Sequence, residues 1–356
     1  MIIKSKIRNY EVEFIETENF LKTSIEQENN AFIIDDTVWE LYRDSILRKI
    51  PLSRTIIQPI SEEIKNMESV CNLYDYLIGL NAKKNITLTI IGGGILQDIC
   101  GYTASTLYRG INWIFVPTTL LAQADSCIGS KTSLNYKKYK NLTGTFYPPS
   151  KIFIYPEFLL TLSEVDYYSG LGEIVKLHIM AGQEKIGGIR RVLPLLKQRD
   201  TVLISKVIEE SLIIKKEYIE EDEFDTDKRN LLNYGHCFGH AIETISEYAI
   251  PHGQAVVIGM FLANSVAYMR GVMSHQLHEY IYKDLLMPSL LIDLQNFEFK
   301  KDDLVQAMGK DKKRTGKGLA LIMMNDKFNF MRMNDLEEKE VENALILLKN
   351  ELQAKP

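Results

Sequence analysis

Residues 86–117 read ITLTIIGGGILQDICGYTASTLYRGINWIFVP. An apolar, β-branched run ends in three glycines, Gly92, Gly93 and Gly94. A helix-like stretch follows, and a second apolar run, INWIFVP (111–117), closes on a proline. Strand, glycine turn, helix and strand make a βαβ unit, and strands apolar on both faces suit a parallel sheet covered on both sides. The same alternation runs upstream: AFIID (31–35), helix-like VWELYRDSI, RTIIQPI (54–60), then IKNMESVCNLYDYLIGL (64–80) with helical spacing. From about residue 158 the period becomes that of long helices, in LLTLSEVDYYSGLGEIVKLHIMAG, TVLISKVIEESLIIKKEYIEEDE, NLLNYGHCFGHAIETISEYAI, QAVVIGMFLANSVAYMRGV and LEEKEVENALILLKNELQ. The expectation is an α/β domain over residues 1–157 and a mostly α-helical domain over residues 158–356. Two-domain enzymes commonly bind substrate in the cleft between such halves.

Composition narrows the function. A chain of 356 residues is more than one core usually fills, and 46% apolar with 25% charged residues is the balance of an ordinary globular enzyme, not a disordered chain. Lys plus Arg is 42 against 47 Asp plus Glu, a net charge of -5, which argues against a nucleic-acid partner. The four cysteines, Cys71, Cys100, Cys127 and Cys237, form no CxxC pair, so neither a disulfide framework nor a cysteine zinc site is expected. The opening MIIKSKIRNYEVEFIE alternates and carries charge throughout, unlike a signal peptide, and no apolar run is long enough to span a membrane. A cytoplasmic protein with no membrane partner is expected.

Several residues could carry chemistry. Glycines between a strand and a helix let backbone N–H groups approach a diphosphate at the helix N-terminus. The spacing is not GxGxxG, and a tight turn without a ligand fits equally. Asp98, one turn into that helix, faces either solvent or a cleft. Asp35 and Asp36 end the first parallel strand, where an acid meets a nucleotide ribose or caps a helix. Three of the six histidines, His236, His240 and His252, fall within 17 residues. His236 and His240 share a helix face, and His252, after Pro251, sits in a loop that can fold back. These could bind a metal with Glu173 of GLGEIVK as a third ligand, or they could line a solvated face, since HxxxH lacks the glutamate of HExxH. His178, His275 and His278 read as structural or exposed. Lys131, Lys140, Lys176, Lys215, Arg109 and Arg229 lie near polar or glycine-rich motifs. Lys176 is one turn beyond Glu173, and Arg229 is two turns before His236 if one helix runs through both. Singly each reads as a surface residue; brought together they would suit an anionic substrate such as a sugar phosphate or carboxylate.

At GGGILQDICGYTASTLYRG, VPTTLLAQADSCIGSKTSLN, KNLTGTFYPP, GLGEIVK, RNLLNYGHCFGHAIE and PHGQAVVIGM the sequence closely resembles the 3-dehydroquinate synthase family of sugar phosphate cyclases, in order and with compatible spacing from about residue 30 to about 315. The resemblance implies a Rossmann-like NAD-binding domain followed by a helical metal- and substrate-binding domain, with NAD and one Zn2+ or Co2+ as cofactors. It implies Glu173, His236 and His252 as metal ligands and His240 as a catalytic histidine that is not a ligand. It implies NAD contacts at Gly93, Gly94, Ile95, Asp98, Thr118, Thr119, Leu121 and Asp125, and nucleotide contacts nearer the adenosine at Asp35, Glu62 and Lys65. Substrate contacts fall on Asp125, Lys131, Lys140, Asn141, Lys176, Lys215, Arg229 and Asn233, with Lys313 preferred to Lys312 in DKK (311–313). Lys131, Lys176, Lys215, Arg229 and Asn233 join His240 as catalytic residues. Arg109 matches a phosphate-binding arginine that reaches across a homodimer interface.

The implied reaction converts 3-deoxy-D-arabino-heptulosonate 7-phosphate to 3-dehydroquinate by transient oxidation, phosphate elimination, reduction and intramolecular aldol closure, with His240 handling protons. The net reaction is that of a phosphate lyase. Arg229 and Asn233 separate the chain from inosose-forming relatives, and His240 from valiolone-type relatives. Departures are Ser130 for a usual glycine, Gln254 for the glutamate of HGE, Thr37 for asparagine, TSLNYKKYKN for TAVNHPLGKN, and a tail after Lys313 without the usual glycine. Another cyclase acting on a related sugar phosphate is the alternative. The metal-dependent polyol dehydrogenases share the architecture, but would release NADH and need no phosphate-binding lysines.

Overall fold

The computed structural model describes residues 1–137, 139–294, 297–309 and 319–353. The chain divides into two compact units, Met1–Leu162 with Lys216–Phe224, and Ser163–Lys215 with Asp225–Pro356.

The strands of the first unit are β1 (Ile2–Ile3), β2 (Tyr10–Phe14), β3 (Asn30–Asp35), β4 (Thr55–Gln58), β5 (Thr87–Gly92), β6 (Asn112–Pro117), β7 (Lys131–Tyr136), β8 (Tyr139–Phe146) and β9 (Lys151–Ile154). Seven form one sheet in the order β1-β2-β9-β6-β5-β3-β4, parallel except for the β1–β2 pair. Every residue of β5 is buried, as a strand covered on both faces requires. On one side Phe32, Ile34, Ile91, Val116 and Phe153 of the sheet pack against Val38, Leu47 and Phe158. From β3 the chain steps outward to β4 and then returns to place β5 on the other flank of β3, so the sheet has its topological switch point between β3 and β5, where such folds open a ligand crevice.

The glycine-turn helix, Gly94–Thr106, leaves β5 at that point. The polar stretch after Ser130 forms an antiparallel hairpin of β7 and β8 that sequence reading did not assign. It lies against the glycine-turn helix: a Cβ on Gly101 would come within 2.7 Å of Thr132 Cγ2. Along β7, Thr132 and Leu134 are buried, while Lys131, Ser133 and Asn135 take the alternate face.

The second unit is mostly helical. Its helices include Glu164–Met180, Gln183–Leu196, His236–Ile245, His252–Met269, His275–Ile281 and Glu338–Gln353. The helix His252–Met269 is buried from Gly253 to Ala267, which matches its apolar sequence on all sides. A second hairpin, β10 (Leu319–Met324) with β11 (Phe330–Leu336), was not foreseen. The stretch 229–249 is not one helix. A short 3-10 helix, Lys228–Asn233, carries Arg229, the chain turns at Gly235 with φ +78°, and His236 opens a new helix. The two-turn face shared by Arg229 and His236 therefore does not form.

Ile34, fully buried in β3 between two parallel neighbours, tests the core of the first unit. Ile34→Ala is expected to lower unfolding free energy by about 2–5 kcal/mol in urea denaturation.

Candidate active site

In the first unit the C-terminal ends of β3, β5 and β6 bring Asp35, the glycine turn and Thr118–Thr119 together. Gly93 is the N-cap of the glycine-turn helix and Gly94 and Ile95 its first residues, so their N–H groups belong to the turn that has no intrahelical acceptors. A Cβ on Gly93 would lie 3.1 Å from Thr119 Cγ2, and one on Gly94 3.6 Å from Ser126 Oγ. Bare glycine therefore leaves room above a helix N-terminus that side chains would fill, and this fits a dinucleotide diphosphate. The Thr118 N–H donates to Gly92 O at 3.0 Å. Asp35 is a helix cap: its carboxylate accepts from Thr37 N–H at 2.9 Å and Val38 N–H at 3.3 Å, and burial pushes its acid group up from the ordinary value. Leu121 and Asp125 lie at the following turn, Ala122–Ser126.

A second group joins residues far apart in sequence. Lys65, buried, pairs with Asp98 and donates to Asn141 Oδ1 at 2.7 Å. Ser133 donates to Asp98 from its N–H at 2.9 Å and its hydroxyl at 3.0 Å. Burial pushes Asp98 up, opposed by Lys65 and those two bonds. Asn135 donates to Glu62 Oε1 at 2.8 Å, and Lys140 Nζ lies 3.6 Å from the same oxygen. Glu62, Lys65, Asp98, Lys140 and Asn141 thus form one polar network, closed by Ser133 and Asn135. Sequence reading missed those two, although they alternate with the buried Thr132 and Leu134. Lys131, exposed, opens β7. Arg109 stands beyond the opposite end of the glycine-turn helix, exposed, in a left-handed run of Tyr108, Arg109 and Gly110 at φ +51°, +61° and +113°. Such strain in a non-glycine residue costs energy and is retained where a side chain must be presented in one direction.

In the second unit three helices converge on Glu173. Its carboxylate is fully buried and faces His236, His252 and Lys176. His236 Nε2 lies 3.4 Å and His252 Nε2 3.3 Å from Glu173 Oε1. With metal–ligand distances near 2.1 Å the edge of a tetrahedron is about 3.4 Å, so these separations suit one zinc-sized cation. The far side of each ring is fixed as well: His236 Nδ1 contacts Tyr234 O at 3.2 Å, and His252 Nδ1 contacts Glu243 Oε2 at 2.9 Å. These outer contacts aim both Nε2 atoms at Glu173, the arrangement that orients metal-bound histidines. Glu243 was not foreseen; it sits one turn beyond His240 and two beyond His236, on the ligand face of their helix.

The charges suit ligation. Burial would raise Glu173, but Lys176, with Nζ 2.5 Å from Oε2, and the two histidines hold its acid group well below the ordinary value. Burial and Lys176 hold His236 well below its ordinary value, so the ring is neutral. Burial would lower His252, but Glu243 and Glu173 on either side push it up to about 10. A cation entering there takes the place of that proton. His240, exposed, has its ring 5.3 Å from that of His236 and 5.8 Å from that of His252. His240, Glu243 and His252 also have ligand atoms within 4.8 Å of one another, but that group is more exposed and lacks the buried carboxylate. Lys215 and Arg229 are buried, and Asn233 donates to Asn230 O at 2.8 Å. His178 and His278 are buried, against Ile174 O and Ser265 Oγ. Lys312 and Lys313 lie outside the described residues.

Gln254 has a structural task. Its amide donates to Tyr168 O at 3.0 Å and Ser289 O at 2.9 Å, and its oxygen accepts from Leu291 N–H at 2.7 Å. An ionised glutamate could do only the last.

A parallel sheet with an open glycine turn at its switch point, and a buried Glu/His/His set elsewhere in the same chain, are features of enzymes that combine a dinucleotide with a catalytic metal. The family model for the 3-dehydroquinate synthase N-terminal region matches residues 55–169, and that for the C-terminal region residues 170–314. A 3-dehydroquinate synthase of Dictyoglomus thermophilum is 36% identical over 328 residues, 92% of this chain and 91% of the relative. Among solved structures, 2-epi-5-epi-valiolone synthase of Streptomyces hygroscopicus subsp. jinggangensis with NAD+ and Zn2+ bound aligns at TM-score 0.81, 24% identity, over 96% of this chain and 97% of the other. A 2-deoxy-scyllo-inosose synthase complexed with carbaglucose-6-phosphate, NAD+ and Co2+ aligns at TM-score 0.81, 22% identity, over 97% and 98%. The chain belongs to the 3-dehydroquinate synthase family. Its fold is that of the sugar phosphate cyclases.

Glu243→Gln removes the charge behind His252 and is expected to weaken metal binding about 10- to 100-fold in a competitive chelator titration, with the fold retained by circular dichroism. A Cβ on Gly253 would lie 1.8 Å from Ser169 O, so Gly253→Ala must push the His252 helix away from the Glu173 helix. The expected result is a loss of about 1–3 kcal/mol of stability together with loss of bound metal by elemental analysis.

Proposed function

We propose that this chain catalyses the 3-dehydroquinate synthase reaction, a phosphate lyase that turns 3-deoxy-D-arabino-heptulosonate 7-phosphate into 3-dehydroquinate and inorganic phosphate. The observation that carries the reading is the Glu173, His236 and His252 set at tetrahedral spacing, in a chain whose 3-dehydroquinate synthase relative spans nine-tenths of it. When bound, a divalent cation such as Zn2+ or Co2+ would supply polarisation of the substrate C5 hydroxyl, and NAD would supply reversible acceptance of the hydride from the C5 carbon. Glu173, His236 and His252 hold the cation. Gly93, Gly94, Ile95, Asp98, Thr118, Thr119, Leu121 and Asp125 hold the dinucleotide, with Asp35, Glu62 and Lys65 nearer its adenosine.

His240 carries a proton on its ring nitrogens as phosphate leaves by elimination. Lys131, Lys215, Arg229 and Asn233 fix the carboxylate and hydroxyls. Arg109, Lys140, Asn141 and Lys176 take the phosphate and ring oxygens, and Asp125 and Lys313 complete the substrate set. Lys176, Lys215 and Arg229 are each buried in the second unit, and buried cations suit a substrate carrying both phosphate and carboxylate. The reading includes a cytoplasmic homodimer, in which the exposed Arg109 would reach the substrate phosphate of a second copy.

The test is to incubate zinc-loaded protein with NAD and 3-deoxy-D-arabino-heptulosonate 7-phosphate, following phosphate release and the product mass. The expected result is chelator-sensitive phosphate release, 3-dehydroquinate as product and no net NADH. Turnover only of glucose 6-phosphate or sedoheptulose 7-phosphate would make the chain a different cyclase, and accumulating NADH would make it a dehydrogenase.

A further inference from the structure

Glu223 is a carboxylate with no part in the chemistry above, yet it is 2% exposed. It lies in the segment Lys216–Phe224 that belongs to the first unit. Its Oε1 accepts from the Ser5 hydroxyl at 2.6 Å and the Ser130 hydroxyl at 3.1 Å, and its Oε2 accepts from Lys6 N–H at 2.6 Å. Buried carboxylates are rare unless their oxygens are satisfied, and here three donors from two distant segments meet on one.

Those donors frame a strained turn. Gly129 and Ser130 are both left-handed, at φ +111° and +63°, and Lys131 follows directly. The turn is held from three sides: Gly129 N–H donates to Tyr10 OH at 2.9 Å, Tyr147 N–H donates to Ser130 O at 2.6 Å, and the Ser130 side chain is tied to Glu223. The segment that carries Glu223 is itself fixed, by Lys4 N–H on Glu220 Oε1 at 2.7 Å and by Phe224 edge-on to Phe146. A left-handed serine costs energy that glycine would not, so the hydrogen bond from its hydroxyl compensates for a conformation its backbone disfavours.

We propose that Glu223 is a positioning residue for Lys131. Through Ser130 it locks the turn from which Lys131 projects, and so it sets where that ammonium meets the anionic substrate. This rests on the substrate role given to Lys131 above. Glu223→Gln replaces an acceptor with an amide N–H where donors converge, and Ser130→Ala deletes only the hydroxyl. Losing a hydrogen bond to a charged group inside such a network is worth on the order of tenfold.

The experiment measures KM for the heptulosonate phosphate, kcat, NAD affinity and metal content in Glu223→Gln, Ser130→Ala, Lys131→Ala and the two doubles with Lys131→Ala. The expected result is a rise in KM of about tenfold for Glu223→Gln and Ser130→Ala, with kcat changed less and NAD and metal binding unmoved. In the Lys131→Ala background neither substitution should raise KM further. Unchanged KM in folded Ser130→Ala, or a full additional rise in the Lys131→Ala background, would overturn the proposal. A Lys131→Ala enzyme with unaltered kcat and KM would instead remove the substrate role of Lys131, and the proposal with it.

Discussion

The closeness of three helix backbones sets the geometry of the proposed metal site. Gly172, one residue before Glu173, meets Gly253, one residue after His252: a Cβ on Gly172 would stand 2.3 Å from Gly253 O. Gly235, one residue before His236, meets Gly259 on the His252 helix, where a Cβ would stand 2.0 Å from Gly235 O. Each proposed ligand is therefore a sequence neighbour of a contact that only glycine permits. Two imidazoles and a carboxylate reach a common centre because the helices carrying them approach main chain to main chain at these glycines.

That packing carries an electrostatic cost. Glu173 is a buried charge, and unpaired it would be strongly unfavourable. Lys176 on the same helix and His252 offset it, and Glu243 behind His252 extends the pairing outward. The site is thus a balanced set of charges before any cation enters, with one proton on His252 to be exchanged for it. Gln254 adds a neutral clamp: it ties the His252 helix to Tyr168 O, on the helix that bears Glu173, and to the Ser289–Leu291 segment. The departure from glutamate at this position is compatible with the same ligand geometry because the clamp needs donors as well as an acceptor.

Much of this was legible in the sequence because it depended on local pattern. The strands AFIID and ITLTIIG are apolar on both faces, and a parallel sheet is the arrangement that buries both. The partition into an α/β and a helical part followed from the change of period. What was not legible depended on contacts. The stretch TSLNYKKYKN is polar and gives little strand signal, yet it pairs as β7–β8 because Gly101 and Thr132 let it lie on the glycine-turn helix. Arg229 looked two turns from His236, but the left-handed Gly235 ends that register. Glu173 could be named from its motif, whereas Glu243 acts through the ring of His252, and no spacing rule on a single helix points to a residue 9 positions ahead across a turn. Ser130 read as a departure from glycine, and its partner Glu223, 93 positions away, became visible only with the fold.

The proposed chemistry needs one cation held by Glu173, His236 and His252. The direct measurement is zinc K-edge X-ray absorption on the protein loaded with one equivalent of Zn2+. The predicted spectrum has two imidazole ligands and otherwise oxygen at about 2.0–2.2 Å. A sulfur scatterer at about 2.3 Å, as Cys237 beside His236 would supply, or one or three imidazoles, would contradict it.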